Sequence, residues 1–293
     1  MKNLLSAFLI TILSFGVLCA FAARVDTLDI ASGLMKRSYK AVIVTPDTYA
    51  ASKLPYPVVY LLHGGTGKFS DWVKKTPDKM LVQNLADQYN LIFVLPEGET
   101  FSFYLDSPVD KGSQFETYLT VDVMGAIDKN YRTVNNRAGR VITGLSMGGH
   151  GALYLSARHP DLYCAAGSMS GAVDMKTTNW IVTPESVAPR KARFEKILGP
   201  DDKIPDQYAI HSVINMVDKM KSNNLKLIID CGVDDYLIKI NRELHQRLVD
   251  NKTPHDYTER PGSHTWQYWQ NALPYQVLFL YQVLRDNNVT VPR

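Results

Sequence analysis

Three residue types that together do acyl-transfer chemistry stand in order along this chain. The first is a serine in the run VITGLSMGGHG, where Gly144-Leu145-Ser146-Met147-Gly148 fits G-x-S-x-G. In that pattern a strand turns so sharply into a helix that the serine sits at the apex in a strained backbone conformation. Small residues two before and two after it are required where strand and helix cross. Val141, Ile142 and Thr143 suit the strand, while Ala152, Leu153, Leu155 and Ala157 suit a buried helix ending near His159-Pro160. The competing reading is a Gly-rich turn with Ser146 as an ordinary helix N-cap.

A serine hydroxyl is a poor nucleophile until a base takes its proton, and the base needs an acid to fix its tautomer. The run LKLIIDCGVDDYLI places Asp234 and Asp235 on the loop leaving an apolar strand, and HDYTERPGSHTWQYW puts His264 on a turn ahead of an aromatic helix. The order serine, acid, histidine is that of α/β-hydrolases. His150 and His245 within expected helices, His159 and His211 near helix boundaries, and His255 at the start of a further expected strand are poorer candidates. An oxyanion needs two donors. The N–H of Met147, opening the helix after Ser146, is one. The second is expected from the loop of VVYLLHGGTGKFSDW, at Gly65 or failing that Thr66. A phosphate loop is the other reading of these glycines, but the P-loop spacing and its Lys-Ser/Thr ending are missing.

The elements that must position these residues alternate. Strands are expected at Tyr39–Val44, Val58–Leu62, Leu91–Leu95, Val141–Thr143, Ala165–Met169 and Leu225–Asp230. Helices are expected at Asp78–Tyr89, Phe115–Tyr131, Met147–Arg158, Ile210–Ser222, Leu237–Asp250 and Thr265–Leu284. That order predicts an α/β fold with a mostly parallel sheet covered on both faces and a site beyond the carboxyl ends of its strands.

Residues 1–22 carry one lysine, a long apolar stretch and Ala20-Phe21-Ala22, which reads as a signal peptide with an A-x-A cleavage site and predicts a periplasmic or secreted protein. An uncleaved membrane anchor is the alternative. A lipoprotein at Cys19 is disfavoured by Leu18 before it. Residues 23–293 show no repeat or linker and are expected to form a single catalytic domain, with no stable membrane insertion once the signal is removed. The formal net charge of +3 is spread along the chain with both signs mixed, which gives no nucleic-acid signature. Cys164 and Cys231 are expected to be buried thiols, one disulfide being the alternative.

The chain resembles the esterase D group of α/β-hydrolases, which includes S-formylglutathione hydrolases, tributyrin-type esterases, feruloyl and acetyl xylan esterases, and mycolyltransferases. The resemblance is carried by YPVVYLLHGGTGKFSDW, YLDSP, FETYLTVDVMGAIDKNYRT, GLSMGGHGALYLSARHPDLY, CGVDDYLI and GSHTWQYW, over about residues 39–285. It implies the α/β-hydrolase fold, a triad of Ser146, His264 and one acid, a two-amide oxyanion hole, and no cofactor or metal. Relatives place the histidine's partner at the second acid of the pair, here Asp235. The implied substrate is a small-molecule or carbohydrate ester, and the signal segment argues against a glutathione ester. An acyltransferase using the same acyl-enzyme is the close alternative, a noncatalytic carbohydrate-binding member the distant one. Phe103-Tyr104 stands where relatives often have Trp-Tyr, and residues 172–205 match nothing in the group. Tyr104 and Trp180 are candidates to stack on a sugar or feruloyl ring, core packing being the alternative.

Overall fold

The computed structural model describes residues 22–200, 203 and 205–292. Eight strands form one sheet: β1 (Arg24–Ala31), β2 (Ser38–Thr45), β3 (Val58–Leu62), β4 (Ile92–Pro96), β5 (Arg140–Gly144), β6 (Ala165–Met169), β7 (Lys226–Gly232) and β8 (Asp256–Arg260). Their order is β1-β2-β4-β3-β5-β6-β7-β8, and β2 alone runs against the others. This is the α/β-hydrolase arrangement.

Helices cover both faces: α1 (Asp71–Lys74), α2 (Leu81–Tyr89), α3 (Phe115–Thr117), α4 (Met124–Asn130), α5 (Met147–Arg158), α6 (Pro184–Leu198), α7 (Pro205–His211), α8 (Val217–Ser222), α9 (Ile238–Asp250) and α10 (Trp266–Asp286). Strands β3 to β6 are buried along their whole length, so apart from Arg140, which opens β5, they read as runs of apolar or small residues. Side chains alternate between the faces. Val58, Tyr60 and Leu62 join the core under α5, α6 and α9, while Val59 and Leu61 join the core under α2 and α10.

The edge strand β1 is not among the expected elements, while β8 lies where a strand is expected to begin at His255. In β8 no residue is fully buried, and in β1 only Ile30 is, so neither carries an apolar signal. The expected helix over Ile210–Ser222 is broken. Ser212 turns extended, its hydroxyl donating to the Tyr208 carbonyl at 2.7 Å and accepting the Met175 N–H at 2.9 Å, while the Ile214 N–H reaches the Val173 carbonyl at 3.1 Å. Pairing with residues 173–175 replaces the helical bonds. The expected helix Phe115–Tyr131 forms as α3 and α4 joined by a π-helical stretch at Tyr118–Val123. Cys164 and Cys231 are buried free thiols. The expected signal segment, apart from Ala22, lies outside the described residues, as does Cys19. Among the described residues no helix is long and apolar enough to cross a membrane.

A buried carboxylate ties α3 to the far end of α5. Glu116 of α3 accepts from the Tyr154 hydroxyl at 2.9 Å, Arg158 Nε at 2.7 Å and His159 Nε2 at 2.8 Å. Burial alone would push its pKa up, but those hydrogen bonds and the Arg158 charge outweigh burial and hold it at about 2. A depressed carboxyl pKa stabilises the fold above the unfolded value and ceases to do so as pH falls through the folded value. Glu116→Gln is therefore expected to destabilise the protein at pH 7 by on the order of 3 kcal/mol. The gap to wild type should shrink from about pH 4.5 toward pH 2, which denaturant titrations across that range would read. A gap that stays constant over the range would refute this account.

Candidate active site

Ser146 sits between β5 and α5 with φ 56° and ψ −114°, a conformation that side-chain-bearing residues rarely adopt. The structure explains both flanking glycines. A Cβ on Gly144 would come within 2.8 Å of the Leu62 side chain, and one on Gly148 within 2.6 Å of the Leu62 carbonyl oxygen. The strained apex is pinned on two sides: the Ser146 N–H donates to the Met169 carbonyl at 2.9 Å, and the Ser146 carbonyl accepts from Ala172 N at 3.1 Å and His150 N at 3.0 Å.

The histidine and acid loops converge on that apex. Between β8 and α10 the chain turns at Gly262, whose φ of 137° favours glycine. The Gly262 carbonyl accepts the Asp234 N–H at 3.0 Å, locking the His264 loop onto the loop that leaves β7. His264 Nε2 then lies 3.0 Å from Ser146 Oγ, and His264 Nδ1 lies 2.8 Å from Asp235 Oδ2. A carboxylate only accepts, so Nδ1 carries the proton and Nε2 offers its lone pair to the serine hydroxyl. Asp235 is buried, and its other oxygen accepts the Leu237 N–H at 2.9 Å. Asp234 is exposed. The Tyr236 ring and the Trp269 edge pack against the imidazole at 4.5 and 4.8 Å between centroids, restricting its rotation.

His150 has a different role. It is fully buried in α5, its Nε2 lies 2.8 Å from the His211 carbonyl, and burial pushes its pKa down to about 4.

The geometry at the two expected oxyanion donors is open. Met147 is the first residue of α5, so its N–H has no carbonyl one turn behind it. Gly65 borders the same cavity, and its N–H has no hydrogen-bond partner among the described residues. The Gly65 peptide is fixed from its other end by the Phe101 N–H, which donates to the Gly65 carbonyl at 2.9 Å. A Cβ here would meet the Phe101 ring at 2.7 Å. Thr66 also lines the cavity but is exposed.

Ser146 and His264 open into a cavity of about 400 Å³. Trp180 lines it, with its indole N–H donating to the Asp174 carbonyl at 2.9 Å. Tyr104 does not line it, and the expectation that it faces substrate is corrected. The ring is fully buried behind the β3 loop, and its hydroxyl lies 3.1 Å from the His63 carbonyl and 3.0 Å from the His63 N–H. Phe101 and Phe103 reach the cavity instead. Glu99, Phe101, Phe103 and Tyr104 all have positive φ, and this coiling reverses the side-chain directions that an extended reading would give. Sequence reasoning also passed over Tyr236, Arg190, Arg193 and Phe194. The adjacency of Tyr236 to the acid pair was a signal for the first. The i, i+3 spacing of the two arginines was a signal that residues 172–205 hold a helix with one face on the site.

The sequence model of the Esterase family matches residues 32–280. The chain belongs to this esterase family. It is 27% identical over 219 residues to an acetyl esterase of Caldicellulosiruptor saccharolyticus, a match covering 73% of this chain and 79% of that one. It is 26% identical over 243 residues to esterase Rv1288 of Mycobacterium tuberculosis, covering 77% of this chain and 52% of that one. Among solved structures, a ferulic acid esterase superposes with a TM-score of 0.75 at 26% identity, over 90% of this chain and 99% of that one.

Proposed function

We propose that the protein is an exported serine carboxylic ester hydrolase, with residues 23–293 forming one catalytic domain. The observation that carries the reading is the hydrogen-bonded line from Asp235 through His264 to Ser146, 2.8 and 3.0 Å, ending at a cavity wall. In the proposed cycle His264 takes the Ser146 proton as Oγ attacks the ester carbonyl. The amides of Gly65 and Met147 receive the oxyanion, and protonated His264, steadied by Asp235, hands its proton to the departing alkoxide. Water then enters, is deprotonated by His264 and hydrolyses the acyl-enzyme.

The acetyl and ferulic acid esterases to which the chain is similar support small acyl esters, or acetyl and feruloyl esters of plant polysaccharides, as substrates. Trp180, partly buried on the cavity wall, is positioned to stack on a ring of either kind. The N-terminal apolar run and its A-x-A site support export. A second reading is acyl transfer. The chain is 24% identical over 256 residues to a protein named diacylglycerol acyltransferase/mycolyltransferase Ag85B of Mycolicibacterium smegmatis, covering 77% of each chain.

One experiment addresses these readings together. The full sequence is expressed, and the exported protein is assayed on p-nitrophenyl acyl esters, methyl ferulate and acetylated xylan. Hydrolysis is expected from protein whose N-terminus lies at or near Ala23. Transfer to added sugar outpacing hydrolysis would favour the transferase. Absence of turnover on every ester would favour a noncatalytic binder.

A further inference from the structure

The cavity beside the reacting groups carries positive charge that no acid among the described residues neutralises. Arg190 and Arg193, three residues apart on α6, both line it, together with Lys75 and Asp71. Asp71 is spoken for by Lys75, 2.8 Å away. Of the two acids on α6, Glu195 pairs with Lys191 at 3.6 Å, and Glu185, in the first turn beside Thr183, is ion-paired with neither arginine. Neither Arg190 nor Arg193 has an ion-pair partner among the described residues. Arg190 donates to the Ser186 carbonyl at 3.2 Å and lies 5.4 Å from the Tyr236 ring centre, while Arg193 lies over the Phe101 ring at 4.3 Å. Most of their ten N–H donors thus have no partner among the described residues.

The two aromatic rings that carry these guanidinium groups also pack on residues of the site. Tyr236 packs on His264 at 4.5 Å between ring centres. Phe101 packs on Gly65 and donates its N–H to the Gly65 carbonyl. Each arginine therefore stands one side chain away from the position of the ester. A neutral ester gains little from two such cations. A carboxylate in the substrate would gain charge-assisted and bidentate hydrogen bonds from them.

On the reading that Ser146 is the nucleophile, we propose that the substrate is an anionic ester, bearing a carboxylate held by Arg190 and Arg193 while the ester carbonyl lies at Ser146. The acyl half and the alcohol half are the two places that carboxylate can sit, and the test has an arm for each. In the acyl arm, p-nitrophenyl hemiadipate is compared with its neutral amide isostere, p-nitrophenyl adipamate. In the alcohol arm, 4-acetoxybenzoate is compared with 4-acetoxybenzamide. The quantity read is the ratio of kcat/KM within each pair, so that any general loss in a variant cancels.

The wild-type ratio is expected to favour the anion by roughly tenfold or more in at least one arm. It should fall toward one in the Arg190→Gln, Arg193→Gln double variant, and it should fall in wild type as salt is raised. The salt series keeps the test decisive if the double variant does not fold. Ratios near or below one in both arms, with the neutral members still hydrolysed, overturn the proposal and leave the esterase reading standing. A preference that the double variant keeps overturns it as well. No turnover of any of the four esters overturns both.

Discussion

Ser146→Ala is expected to lower kcat for ester hydrolysis by about 10⁶, the scale seen when a serine protease loses its nucleophile. The fold should survive. Alanine has the same backbone restrictions as serine, so the strain at φ 56° is unchanged, and the amide and carbonyl bonds of residue 146 to Met169, Ala172 and His150 do not involve the hydroxyl. The side chain's hydrogen bond to His264 is lost, at a cost of about 1 kcal/mol. Residual turnover would come from binding and the oxyanion donors, with water attacking in place of the serine. The check is kcat beside a denaturant titration. A folded variant retaining more than about a hundredth of wild-type turnover would mean that Ser146 is not the nucleophile.

What was legible in the sequence follows how strongly each residue is constrained. The strands Val58–Leu62 and Ala165–Met169 and the helix Met147–Arg158 fall where they were expected, because buried strands are unbroken apolar or small-residue runs and the helix is started by the turn at Ser146. Strand β1 buries only Ile30, so hydrophobic pattern was silent about it. The break at Ser212 came from a partner 37 residues earlier, which no local propensity encodes. At the site, serine, acid and histidine are readable because each lies on a turn at a strand's carboxyl end, where chain order implies proximity. The cavity wall is not readable in this way. Tyr104 points into the core because the loop coils through positive φ at Phe101, Phe103 and Tyr104. Arg190 and Arg193 reach the cavity only because Phe194, Ile197 and Leu198 dock α6 on the core.

Asp235→Asn is expected to cost about 10⁴ in kcat, and Asp234→Asn no more than a few-fold. The difference between the neighbours comes from their hydrogen bonds. Asp234 is exposed and contributes its backbone N–H to the Gly262 carbonyl, a bond that asparagine keeps. Asp235 holds two donors at once: the Leu237 N–H on Oδ1 at 2.9 Å and His264 Nδ1 on Oδ2 at 2.8 Å. An asparagine there has one oxygen and one NH₂, and the Leu237 N–H cannot face an NH₂ without leaving two buried donors in conflict. The oxygen therefore stays toward Leu237, and the NH₂ turns toward His264. Facing a donor, Nδ1 must become the acceptor, which moves the ring proton to Nε2. The imidazole then points an N–H at Ser146 Oγ where a lone pair is needed, so the base is present, correctly placed and in the wrong tautomer. The effect should therefore fall on kcat far more than on KM, and little of it on stability. Measuring kcat, KM and folding free energy for both asparagine variants checks each part of this chain. A severe loss confined to Asp234→Asn would assign the role to the other acid, and equal mild losses would mean that the tautomer of His264 does not limit the reaction.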